Sequence, residues 1–471
     1  MKKLFKNHVR LKSTAKVQKI FVPIYLFGLI MFILLKNTNI QGSENLKNDA
    51  NTPQSSPLAQ NVRPQAEGIN FFIYGDKVID PNIRTVLFHQ KGFELSQPYI
   101  RYNSSEVLSL VFDDLSPNIR NFYYTIIHCD AHWQPSPLRQ FEFIEGFPEA
   151  IIDNYTRSIN TIVPYSQFRL ELPNSTMRPK IPGNYLLKVY LNGDPEQIVF
   201  TRRFVVFEQN ITINSEIRQA MLVQFRDTHQ QIRFELLTNN HPVSNPRRDL
   251  RVVIKQNGRW DNAIKGIEPR SIQSTRISFE HDTQLLFEGG NEYRWFDIRS
   301  LRFRTERIDQ IVSGHRYTEV FLRPDRLRAF SPFLTERDLN GRFEVRTHDA
   351  VDPHLESDYA MVHFKLQTNR AFDNHHVHVV GGLTQWVIDA NNRMQFNAAT
   401  RAYEWQTLLK QGFYNYKYIL VNQSTGEASF MDIEGNFSMT ENEYTIFVYH
   451  RQPGTVFDRL VGISHQNSFE R

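Results

Sequence analysis

Cysteine is almost absent: Cys129 is the only one in 471 residues. An intrachain disulfide and a multi-cysteine zinc site are therefore excluded. No cysteine follows the N-terminal apolar run, as a bacterial lipoprotein anchor would require. The commonest catalytic signatures are missing as well: GxSxG, GxGxxG, the P-loop and HExxH do not occur. Their absence removes the usual hydrolase, dinucleotide and zincin designs, though not every enzyme. Beyond the first forty residues no helical period is sustained, and no repeat of roughly 20–50 residues is visible, which disfavours propellers and solenoids.

Acidic residues are absent before Glu44, while Lys2, Lys3, Lys6, Arg10, Lys12, Lys16, Lys19 and Lys36 lie there. The formal net charge of +5 comes from 55 basic and 50 acidic residues. Without those eight, 47 basic residues face 50 acidic ones, a balance of −3. The basic character belongs to the leader, so the sequence pI of about 9.0 is no argument for a nucleic-acid partner, and none is expected.

The apolar run Ile20–Leu35 has 16 residues. That length falls between a signal-peptide core and a full membrane span, and Pro23 and Gly28 disfavour a long rigid helix. Residues 1–42 read as a signal peptide or an uncleaved N-terminal anchor. Both readings export the remainder, to the periplasm with outer-membrane association in the reading developed below. Residues 43–66, rich in Asn, Gln, Ser and Pro, read as a flexible linker.

What is present favours strands. Phe contributes 36 residues and Tyr 19, and aromatic residues suit pleated sheets. Ile232, Phe234 and Leu236 alternate with Arg233 and Glu235. Val362, Phe364 and Leu366 alternate with His363, Lys365 and Gln367. Tyr414, Tyr416, Tyr418 and Leu420 oppose Asn415, Lys417, Ile419 and Val421. Alternation of this kind marks antiparallel sheets with one dry face. Phe122–Cys129 is apolar on both faces, as a doubly buried strand is. We expect an all-β chain of tandem immunoglobulin-like β-sandwich domains at 67–210, 211–350 and 351–471, the last resembling E-set or carbohydrate modules.

Four clusters carry reactive groups. In His128-Cys129-Asp130-Ala131-His132-Trp133 adjacent strand residues point to opposite faces, so His128 is badly placed to activate Cys129, and a strand-ending turn is expected. His375, His376 and His378 put two imidazoles on one strand face with no third ligand nearby, so a solvated face is expected rather than a metal site. Asp113 and Asp114 precede Ser116-Pro117 and read as turn caps. The arginines at 299, 302 and 304 and those at 323, 326 and 328 read as solvated faces and loops. No catalytic, cofactor-binding or metal-ligating residue is assigned, no cofactor is expected, and partner-binding residues are unassigned.

Trp386, Trp405, Tyr414, Tyr416 and Tyr418 resemble the aromatic set of carbohydrate-binding modules appended to starch- and glycogen-handling enzymes. That resemblance covers about the last 100 residues and implies glycan binding as the runner-up function, although packing is the commoner fate of large aromatics.

A more extensive resemblance runs through Tyr123–Ser136, Phe143–Phe147, Asp153-Asn-Tyr155, Pro182–Tyr190, Asp249–Lys255, Gln256–Ala263, Gly290–Arg294, Phe296–Leu301 and Asp338–Phe343. In this order these stretches resemble the plug proteins of the type IX secretion system of Bacteroidetes, over roughly Ile69 to Gly454. His132 stands where an acidic residue is more frequent in that family, and Pro182 where Ser is usual. The resemblance implies a non-enzymatic subunit that binds the periplasmic side of an outer-membrane β-barrel translocon and occludes its channel when idle. Membrane association would then run through that partner or an uncleaved leader.

Overall fold

The computed structural model describes residues 74–348 and 350–469. The leader and linker expected at 1–42 and 43–66 lie outside the described residues. The described chain is all β, with three helices of four residues each. Among the described residues no helix is long and apolar enough to cross a membrane.

The first sandwich pairs two sheets. One runs in the order Lys77–Val78, Ile198–Phe207, Gly183–Leu191, Phe122–Cys129, Ala150–Ile152, with Tyr99–Arg101 parallel to Ile198–Phe207. The other runs Ile83–Gln90, Leu108–Asp114, Ser166–Leu172, Tyr155–Arg157. Leu110, Phe112 and Phe168 from one sheet meet Phe122, Tyr185 and Phe200 from the other in a single core. The inner residues alternate along each strand, so burial of every second side chain holds the layers together. Gly183 opens its strand at φ 155°, and any side chain there would strike the imidazole of His128.

The second sandwich is assembled from distant parts of the chain. Thr212–Gln219, His229–Leu237 and Arg276–Phe279 form one sheet. The other contains Leu250–Gln256, but its central partner is Glu443–His450, followed by Arg459–Asn467. Ile232, Phe234, Val252 and Ile254 share their core with Tyr444, Ile446, Val448 and Val461. The third sandwich lies between these segments in sequence. Its core joins Phe296, Ile308 and Val320 to Val362, Phe364, Tyr414 and Ile433. The expected break at 350/351 therefore runs through a continuous core, and the expected third domain lends its last strands to the second. We propose divisions near 210, 290 and 440, with the third sandwich inserted into the second.

The first and second sandwiches stack sheet on sheet. Cys129, Leu186 and Val205 on the outer face of one sheet pack against Val253, Phe447, Tyr449 and Leu460 on the other, forming a fourth core. Four sheets thus lie in layers, which explains why Phe122–Cys129 is apolar on both sides.

Candidate interaction surface

The sequence clusters resolve into structure before any of them resolves into chemistry. His128 and Cys129 do point apart. His128 packs among Phe143, Tyr185 and Phe457, where burial lowers its pKa to about 4. Cys129 lies in the junction core, and burial pushes its thiol up to about 12. Asp130 closes the turn by accepting the backbone N–H groups of His132 at 2.8 Å and Gln134 at 2.9 Å. A thiol held neutral and turned away from its neighbouring imidazole is no nucleophile–base pair.

Asp113 and Asp114 diverge. Asp114 caps the turn, accepting Ser116 N–H at 3.0 Å, and it pairs with Arg120. Asp113 departs from the turn-cap expectation. It is fully buried and accepts from Lys410 Nζ at 2.6 Å and from the Tyr359 hydroxyl at 2.7 Å. The pair bolts the first sandwich to the third.

The histidine strand also departs from expectation. Val377 and Val379 enter the core, but His378 is buried beneath Asn392, whose Oδ1 lies 3.1 Å from its Nδ1. His376 approaches Arg393 at 3.4 Å. Among the described residues no group of three His, Cys, Asp or Glu side chains is arranged to hold a metal.

The aromatic set is committed to packing. Tyr414, Tyr416 and Tyr418 belong to the third core, and Tyr416 and Tyr418 both donate to Asp325 Oδ2, at 2.6 and 2.7 Å. Trp405 packs on Phe364 and donates to the Asn391 carbonyl oxygen. Trp386 lies under the Arg259 guanidinium at 4.5 Å. The opposite face of Gly412–Asn422 is buried too: Lys417 lies 3.8 Å from the Tyr293 ring centroid. Arg328 is partly buried. It pairs with buried Glu434 at 2.7 Å, as Arg294 does at 3.0 Å. Burial raises the Glu434 carboxyl pKa, yet these two guanidiniums hold it down at about 2. The exposed arginines at 302, 304, 323 and 326 keep the expected character.

Exposed apolar side chains occur throughout the described residues, Phe330 and Val351 being among the freest, and six of them fall close together in sequence. Phe141, Phe147, Ile151, Tyr155, Ile159 and Ile162 all project from a short stretch of the first sandwich, Phe147 with 66% of its surface free. Two of its strands, Ala150–Ile152 and Tyr155–Arg157, are the open edges of the two sheets. An edge strand offers unpaired N–H and C=O groups to an incoming chain, and exposed apolar residues beside it are of the kind that partners cover. The sequence signal was a run of large apolar residues without regular alternation.

The comparisons bear on this same sandwich. The first-domain model of the type 9 secretion system plug protein matches residues 83–208. A crystal structure of a hypothetical protein from Parabacteroides merdae ATCC 43184 is 34% identical, covers 84% of this chain and 99% of its own, and superposes with a TM-score of 0.81. The chain belongs to the type 9 secretion system plug protein family. Dimeric latent PorU from Porphyromonas gingivalis aligns at 10% identity over 82% of this chain and 34% of its own, with a TM-score of only 0.13. No curated protein matches. Membership gives this plug-family chain a role in type 9 secretion, an envelope location and an association with the secretion machinery.

Proposed function

We propose that the protein is a non-enzymatic plug: it binds the periplasmic side of the outer-membrane β-barrel translocon and closes the channel when no exit partner is docked. The observation that carries the reading is the plug-domain match over residues 83–208. The exposed apolar residues lie on that same domain, two of them, Ile151 and Tyr155, in the edge strands of its sheets. An idle wide pore leaks, and a body docked at its mouth closes it sterically. Stable docking of such a body needs more than about 1,200 Å² of buried surface, which an edge-and-strip contact can begin to supply. Release by a competing partner requires bound and open states within a few kcal/mol of each other.

Two measurements test this. Deleting the gene raises outer-membrane permeability to large antibiotics without removing an enzymatic step; unchanged permeability would count against occlusion. A tagged protein recovers a very large β-barrel from solubilised outer membrane, and Phe147→Asp with Ile151→Lys abolishes that recovery while leaving the folded state intact. Undiminished recovery by the double variant would remove the strip from the interface.

A further inference from the structure

A cavity of about 200 Å³ lies where the three sandwiches meet. Phe204 and Ser96 of the first, Trp260 of the second, and Arg342 and Phe343 of the third line it. Consecutive residues of Ile198–Phe207 reach it from opposite faces of their strand. Arg202 donates to the carbonyl oxygens of Thr201 at 2.8 Å and Val86 at 3.4 Å, and to Gln385 Oε1 at 3.3 Å. Arg203 donates to the Tyr74 carbonyl oxygen at 3.2 Å and lies 5.0 Å over the Trp133 ring. Beside them Lys255 is fully buried, 4.5 Å over the Trp260 ring, and donates to the Gly258 carbonyl oxygen at 3.1 Å.

Neither Arg202 nor Arg203 forms an ion pair among the described residues, whereas the neighbouring Arg342 is matched. Arg342 pairs with Glu443 at 2.7 Å, and Glu94 faces His354 at 3.3 Å. The acid left in the lining is Asp76, which accepts the backbone N–H of Arg203 at 2.7 Å. Arg202 and Arg203 line the cavity against that one carboxylate, and the positive charge left over is one that burial makes costly. An anion entering the cavity removes that cost. The rest of the lining is largely apolar and aromatic, which a naked, strongly hydrated anion would not need. An engineered cavity of about 150 Å³ holds benzene, so the space here accommodates an anionic molecule of that size.

We propose that this three-way junction is a binding site for a small organic carboxylate with an apolar body, its carboxylate held by Arg203, which lines the cavity beside Trp260. The ligand contacts all three sandwiches, so its binding tightens their arrangement. This site is separate from the apolar strip and does not depend on the plug reading.

Titration calorimetry of the purified full chain at constant ionic strength tests it with three probes: benzoate, its neutral isostere benzamide, and inorganic phosphate. Benzoate binds saturably with one site, and benzamide and phosphate bind at least tenfold more weakly. Arg203→Gln weakens benzoate at least tenfold. Asp76→Asn keeps the acceptor for Arg203 N–H but removes the opposing charge, so it tightens benzoate severalfold, a gain that a folding defect cannot imitate. Equal binding of benzamide, tighter binding of phosphate, no saturable binding of benzoate, or weaker binding in Asp76→Asn would each overturn the proposal.

Discussion

The first sandwich meets its two neighbours by opposite chemistry. Against the second it presents a dry sheet face: Cys129, Leu186 and Val205 interlock with Val253, Phe447 and Leu460. Against the third it presents polar groups: Asp113 binds Lys410 and Tyr359, Tyr165 donates to the His354 carbonyl oxygen at 2.9 Å, and Asp358 accepts the backbone N–H groups of Ile162 and Val163. Among the described residues no hydrophobic cluster joins these two sandwiches. The apolar junction is non-directional and tolerant of small shifts. The polar one fixes a single geometry and fails abruptly when one partner is lost. One junction therefore supplies adhesion, and the other sets the angle at which the third sandwich is carried.

The largest effect should come from the polar side. Lys410→Met leaves Asp113 buried without its cation, which costs about 3–5 kcal/mol by urea unfolding. The double variant Asp113→Leu with Lys410→Met restores most of that loss, because two apolar groups need no partner. If both variants are equally destabilised, the junction is held by something other than this pair.

On the apolar side Leu186→Ala costs about 3 kcal/mol, from lost transfer energy and a residual cavity. No partner variant rescues it, because no specific complement is missing. Rescue by a single enlarged neighbour such as Val253→Leu would show a directional fit and blur the contrast.

A lysine buried against the apolar junction titrates near neutral pH, and it sharpens the comparison. Burial lowers the Lys255 pKa to about 7, against about 10.4 in an unfolded chain. Between these values the unfolded state binds more protons, so stability rises with pH from about 7 to about 10. Below pH 7 both states are charged and the slope vanishes. Lys417, lowered by burial to about 8, adds a smaller rise of the same sign. Lys255→Met should flatten most of the slope in unfolding free energy measured across this range; an unchanged slope would place its origin elsewhere.

Much of this architecture was legible as strand alternation. Ile232, Phe234 and Leu236 are buried while Arg233 is exposed, as their period requires. Where the reading failed, the cause was a contact from a distant part of the chain. Lys417 looks like part of a wet face until Tyr293 covers it. Asp113 looks like a turn cap until Lys410, 297 residues away, reaches it. The return of Glu443–His450 to pair with Leu250–Gln256 leaves no local trace, because either strand alone reads as an ordinary sandwich strand. The polar junction was invisible for the same reason: a buried ion pair announces itself only when both halves are seen together. The apolar strip was present in the sequence as Phe141 to Ile162, but only topology shows that its strands are edges.

The smallest effect tests how dry the apolar junction is. Cys129 is buried there and burial pushes its thiol to about 12, so at pH 8 almost none of it is thiolate, the species that reacts. A thiol reagent should therefore label the native chain only through opening, at a rate set by the opening equilibrium. Cys129→Ala removes one sulfur from a packed core and should cost on the order of 1 kcal/mol. Lys410→Met, which loosens the third sandwich, should leave the labelling rate unchanged if the two junctions open independently. Leu186→Ala, which loosens the first from the second, should raise it. Acceleration by Lys410→Met equal to that by Leu186→Ala would mean that the polar and apolar junctions open as one unit, and the division of labour between them would not hold.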